Sequence, residues 1–298
     1  MSLDVSITPP LFLLYILHFD QENAYTKVGI NTENLYAELN SQSRSFHMMR
    51  SANPVLQDDT FAGRGYSSSH SETETMTIQG VVLKTLLLVF LALLTAGWTW
   101  TKFYQSGGNP QSVNTLVMIG AFGGLILAVI TAFKPAWAST TAVLYALFEG
   151  LFIGGISAIL EVQFSGIVIQ AAGLTFGTLI AMLLAYQSGL IRATESLKMG
   201  IVAATGGIAL VYIATMALSF FGVQVPYIFG NGWIGIGFSV FVVVVAALNF
   251  VIDFDFIEQG QARGAPKYLE WYGAFALMVT LVWLYIECLR LISKLRSR

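Results

Sequence analysis

Seven uninterrupted apolar runs, at about 80–101, 114–133, 139–160, 166–187, 199–222, 232–254 and 271–293, leave this chain few folds to choose from. A bilayer's hydrocarbon core is about 30 Å thick and takes roughly 20 apolar residues per helix, and each run is long enough. Backbone N–H and C=O groups find no water in hydrocarbon, so a spanning chain is either helical or a closed barrel. These runs are continuous rather than alternating, and far longer than a tilted strand, which selects helices. The reading is an all-α integral membrane protein, a bundle of seven transmembrane helices over residues 79–298, with the lipid bilayer as its first partner. Gly, Asn and Pro mark several connectors, "SGGNPQS", "FKPAW" and "VPYIFGNG".

Charge supports the class and excludes others. Only 11% of the 298 residues are charged, against about 25% in soluble domains. The net charge of −2, without a dense basic tract, gives no reason to expect a nucleic-acid partner. Cys288 is the single cysteine, so no internal disulfide or Cys-based metal site is available. His18, His47 and His70 all precede the first apolar run, which removes His-based intramembrane metal sites. With no His in the spans there is no Ser–His dyad, and Gly-x-Gly-Asp is absent. An enzyme is therefore not expected, and neither is a cofactor.

Residues 1–78 are polar apart from "PLFLLYILHF", Pro10 to Phe19, which is too short to span. Asp4 stands where a signal peptide would carry Lys or Arg. "SSSHSETETM" reads as solvated and disordered. "MMRSANPVLQDDTF" resembles a natural start, so residues 1–47 are either an extension or a misassigned start. Loop charges give the orientation. With a cytoplasmic N-terminus, the inner side holds Arg50, Arg64, Lys134, Arg192, Lys198, Arg263 and Lys267, and the outer loops hold Lys102 alone. Lys294, Arg296 and Arg298 resist this assignment, because seven crossings put them outside. Either that tail is a tolerated exception or the last two runs do not both cross.

The Gly120/Gly124, Gly150/Gly154 and Gly173/Gly177 pairs have the spacing that lets helix backbones approach closely. Intramolecular packing is the expected use, with a dimer face or a backbone-lined pathway as alternatives.

Carboxylates inside the spans carry the functional signal. Glu149, in "LYALFEGLFIGG", lies near the middle of the third run. A bare carboxylate there costs at least about 2.5 kcal/mol, so it must face the bundle or water, or be protonated. A buried structural hydrogen bond and a role in ion or proton passage are both open. Glu287, in "VWLYIECLRL", has Arg290 three residues on as a local partner. Lys84, near the start of the first run, can snorkel. Asp253 and Asp255, in "NFVIDFDFIEQGQARG", fall at the last turn of the sixth run, and Glu258 and Glu270 follow in the connector. The two aspartates are about 200° apart around a helix, so one can face the bundle while the other meets headgroups. Asn249 is one turn before Asp253 and extends that stripe into the membrane. These acids either simply end a span in solvent or form a gate: burial and mutual repulsion bring carboxylates into the neutral range. Carboxylates also suit Ca²⁺, with Asp253 and Asp255 as candidate ligands.

With "ALFEGLFIGGIS" in the third run, "IDFDFIEQGQ" closing the sixth and "LVWLYIECLRLISKL" at the end, the chain resembles the Bax inhibitor-1 superfamily, most of all its bacterial branch, over about residues 49–298. The resemblance implies a pH-sensitive Ca²⁺ leak closed by a hydrogen-bonded aspartate pair on the sixth and seventh helices. It also implies a bacterial inner membrane and, as an alternative function, control of a membrane-anchored quality-control protease; eukaryotic relatives are linked to cell-death suppression. Asp255 best matches the sixth-helix aspartate, with Asp253 the contender. The second aspartate would fall around Val279 or Thr280, where no acid stands, and Glu287 lies two turns farther. Lys134 sits where relatives carry bases able to hold the sixth-helix acid. The expectation is thus a leak for calcium ions, sensed through protons at Asp255, Asp253, Glu287 and Lys134, with Glu149 and Asn249 along the ion path. The alternative is a non-transporting regulatory protein that binds such a protease or another integral protein.

Overall fold

The structure, a computed structural model, describes residues 75–221, 228 and 230–297. The expectations for the polar segment 1–74, including the 1–47 extension, fall outside the described residues.

Among the described residues there are seven α-helices: α1 Ile78–Gln105, α2 Gln111–Phe133, α3 Ala138–Gln163, α4 Ile167–Gln187, α5 Glu195–Phe220, α6 Trp233–Ala262 and α7 Leu269–Arg296. A single 3₁₀ turn, Pro135–Trp137, links α2 to α3. All seven are long and apolar enough to cross a membrane. The chain is an integral membrane protein of helical class.

Helix α7 is the axis. Of its most apolar stretch 89% is buried, against 22% for α1 and 17% for α4. It packs against α1, α3, α4 and α6, while α3 is also clasped between α1 and α2. Its mean hydropathy, 1.9, is below the 2.5 of α2 and α6. A helix lined by protein rather than lipid tolerates polar residues because neighbours satisfy them. That is why α7 can bury Glu270, Thr280, Glu287, Arg290 and Lys294.

Seven crossings place the start of α1 and the α2–α3, α4–α5 and α6–α7 connections on a first face. The remaining connections and the C-terminus lie on a second face. Contacts at both ends of α7 fit this alternation. On the first face, Met76 N donates to Ala265 O at 2.7 Å. On the second, Arg296 donates to Ser165 O at 2.7 Å and Lys294 to Ile228 O at 2.8 Å. Both α6 and α7 therefore run the full distance. Of the basic tail, Lys294 is buried among oxygens and Arg296 is tied to the α3–α4 turn.

The sixth helix corrects the expected boundary. Asp253 and Asp255 do not close it; α6 continues to Ala262 and takes in Glu258, while Glu270 lies in the first turn of α7. "IEQGQA" reads as a connector because it is polar and holds Gly260. Side-chain bonds one turn apart carry the helix through it: Gln259 donates to Asp255 at 2.6 Å and Arg263 to Gln259 at 2.8 Å.

Two glycine pairs serve packing inside the molecule. A Cβ at Gly150 or Gly154 would strike the α1 backbone at Ala92 or Ala96, and one at Gly120 would strike the α3 backbone. A Cβ at Gly173 or Gly177 on α4 would meet nothing within 4 Å among the described residues. Gly154→Leu is expected to cost about 1–3 kcal/mol or more through overpacking, whereas Gly173→Leu should be nearly neutral. Thermal unfolding in detergent decides; equal losses in both variants would mean that the close α1–α3 approach is not what Gly154 provides.

Candidate functional site

A polar column runs along the α5–α6–α7 interface. Residues Ser239, Asn249 and Asp253 are all buried on α6. Their 3–4 residue repeat, with Val242, Val245 and Ala246 between, keeps them on the face turned toward α5 and α7.

Nearest the first face, Asp253 is wholly enclosed, and its Oδ2 accepts from Thr280 Oγ1 of α7 at 2.6 Å. Its Oδ1 has no hydrogen-bond partner among the described residues. One turn deeper, Asn249 Nδ2 donates to Thr205 Oγ1 of α5 at 3.1 Å and to Val245 O at 2.8 Å. Asn249 Oδ1 is likewise without a partner among the described residues. Residues four apart on a helix are neighbours, so two acceptor oxygens are offered on one buried face.

Farther on, Glu287 and Arg290 form a buried ion pair at 2.6 Å, with a second contact at 2.8 Å. Tyr212 of α5 joins them, donating to Glu287 at 3.2 Å and accepting from Arg290 at 2.5 Å. At the second face Lys294 donates to Ile228 O at 2.8 Å, Gly235 O at 3.0 Å and Ser239 Oγ at 2.9 Å. The column is thus acidic toward the first face and, counting Glu287, Arg290 and Lys294, basic toward the second.

The structure separates the two aspartates. Asp255 turns to α5, where Lys198 pairs with it at 2.7 Å, its side chain 18% exposed. Lys198 also meets Glu195 at 3.0 Å. Glu287 is joined to Arg290 and Tyr212 and not to either aspartate. Lys134 is exposed and lies 4.3 Å from the Trp137 ring centroid, pairing with no acid among the described residues. Glu149 stands off the column on α3. Neither of its oxygens, nor the Tyr145 hydroxyl one turn earlier, has a hydrogen-bond partner among the described residues. Gly124 of α2 leaves it room, for a Cβ there would lie 3.0 Å from Glu149 Oε2.

Several partners are invisible to sequence reading. Thr280 falls where the resemblance places a second acid, but it is a hydroxyl donor. Lys198, Thr205 and Tyr212 sit on α5 at i, i+7 and i+14, a helical repeat whose target only the packing shows. Glu270 is another. It is buried at the first face and accepts from Thr77 N and Thr77 Oγ1, both at 2.9 Å, and it pairs with Lys84. This latch ties the start of α1 to the start of α7, so Lys84 is paired rather than merely snorkelling.

Among the described residues no group of three or more His, Cys, Asp or Glu side chains is placed to hold a metal ion. Asp253 and Asn249 together offer two oxygens, whereas resident Ca²⁺ takes six to eight.

Comparison with curated proteins and with solved structures returns no match. A family model described as Bax inhibitor 1 like matches residues 53–297, most of the chain and all seven helices, and the chain belongs to that family.

Proposed function

We propose that this chain is a non-enzymatic cation leak of a bacterial inner membrane, with Ca²⁺ as the ion, protons as the control and the first face cytoplasmic. Asp253, rather than Asp255, is the titrating seat, and Thr280 supplies the partner that relatives provide as an acid. One observation carries this reading: a fully buried aspartate on α6 is held by α7 through one oxygen, while the other faces no donor among the described residues. An ionised carboxylate accepts a hydrogen bond about twice as strong as a neutral one accepts. Protonating Asp253 therefore loosens α6 from α7, and flux rises as pH falls.

A second reading has its own support. Among the described residues, the half of the column toward the second face holds Arg290 and Lys294 against Glu287, an excess of positive charge that opposes a divalent cation. That favours a regulatory membrane protein, one that binds a membrane-anchored protease or another integral protein and transports nothing.

Ca²⁺ uptake into liposomes holding the full chain, at pH 6, 7 and 8, separates the two. The leak predicts uptake that grows toward pH 6, and a similar profile in Asp255→Asn, whose partner is Lys198. Uptake no greater than in empty liposomes at every pH would end the leak reading and leave the regulatory one.

A further inference from the structure

A trench runs between α1 and α4 on the outside of the bundle. These two helices scarcely touch each other, yet α7 packs on both and forms the floor. Two cavities open along it. The one toward the second face is about 320 Å³ and is walled by Ala96, Trp100, Ala172, Phe176 and Leu281. The one toward the first face is about 640 Å³ and is walled by Val82, Leu86, Leu183, Phe254 and Leu277. Both volumes fall in the range of roughly 300–1,000 Å³ usual for ligand pockets. The α1 wall, from Ile78 to Trp100, rises about 33 Å at 1.5 Å per residue, the depth of the hydrocarbon core.

The larger cavity is amphipathic in the direction of the membrane normal. Its depth is aliphatic and aromatic, and its mouth at the α4–α5 turn holds Tyr186, Gln187, Arg192 and Glu258. The Glu258 carboxylate accepts from the Tyr186 hydroxyl at 2.5 Å. Arg192 is exposed and pairs with no acid among the described residues. An apolar slot at chain depth with an unclaimed guanidinium at headgroup depth matches a single molecule that is apolar at one end and anionic at the other.

We propose that this trench seats one phospholipid of the first-face leaflet, an acyl chain lying between α1 and α4 and the phosphate on Arg192. Guanidinium binds phosphate through two parallel hydrogen bonds, so an anionic headgroup without its own ammonium is preferred over a zwitterionic one. The inference does not depend on the leak.

The test is native mass spectrometry of the full chain, incubated in detergent with equal phosphatidylglycerol and phosphatidylcholine. Phosphatidylglycerol should be retained about fivefold over phosphatidylcholine, the worth of one basic side chain near anionic lipid. Arg192→Gln should abolish that preference while leaving chain binding, and Arg192→Lys should keep most of it. Val82→Trp, which fills the trench, should lower retention of both lipids while the thermal midpoint is unchanged. Inorganic phosphate should not displace the lipid. Equal retention of the two lipids by the wild type, a preference that survives Arg192→Gln, unaltered retention in a folded Val82→Trp, or displacement by phosphate would each overturn the proposal.

Discussion

Asp253→Asn is expected to give a Ca²⁺ flux that is high at pH 8 and no longer rises toward pH 6. The neutral amide has the shape of the protonated acid, and it removes the charge that strengthens the 2.6 Å bond from Thr280. A hydrogen bond to a charged group contributes roughly 1.5–3 kcal/mol, so losing the charge assistance shifts the α6–α7 equilibrium by on the order of tenfold. Thr280→Val removes the donor instead and should raise flux at pH 8 by a similar factor. In the proposed leak the sign follows from which form holds the helices: ionised Asp253 would hold α7 more tightly, so alkaline conditions are expected to lower the flux. If Asp253→Asn keeps the wild-type pH profile while Asp255→Asn loses it, the seat lies at the exposed aspartate and Lys198, and the buried site has another role.

The largest effect on stability is expected at the Glu287–Arg290 pair. Both side chains are at most 5% exposed, and the carboxylate takes two bonds from the guanidinium and one from Tyr212. Taking away one member of a buried ion pair costs about 3–5 kcal/mol, because the remaining charge was desolvated for a partner it has lost. Glu287→Ala should therefore unfold at much lower denaturant or temperature. Replacing both residues, Glu287→Leu with Arg290→Met, should recover most of the loss, since well-packed apolar groups are often as stable as the ions they replace. Denaturant titration in mixed micelles reads both variants. A double variant no better than Glu287→Ala would mean that Glu287 contributes through Tyr212 and packing rather than through its charge. Glu287→Gln should also leave the shape of the flux–pH curve intact, which distinguishes a structural pair from a gate.

These predictions differ from what the sequence alone suggested, and the difference traces to particular residues. A polar run, "IEQGQA", reads as a connector, which puts Asp253 and Asp255 at the last turn of a span, where they either end it in solvent or form a gate. Once α6 continues to Ala262, Asp253 lies about 14 Å inside its end at 1.5 Å per residue. Two positions of separation then put one aspartate on α7 and the other on Lys198. Glu270 had no visible purpose in the sequence because its partners, Thr77 and Lys84, lie 193 and 186 residues away.

The number of helices, the membrane as solvent and the family are all written in the order of residues along the chain. Each follows from local facts: runs of apolar side chains long enough for the hydrocarbon core, and motifs within single helices. Which carboxylate is sealed and which is paired was decided only by the tertiary structure. That outcome depends on how α6 is rotated against α5 and α7, and a rotation is set by the packing of many side chains at once. Thr280 under Asp253 and Lys198 on Asp255 are products of that packing, whereas Arg290 beside Glu287 follows from their three-residue spacing on one helix.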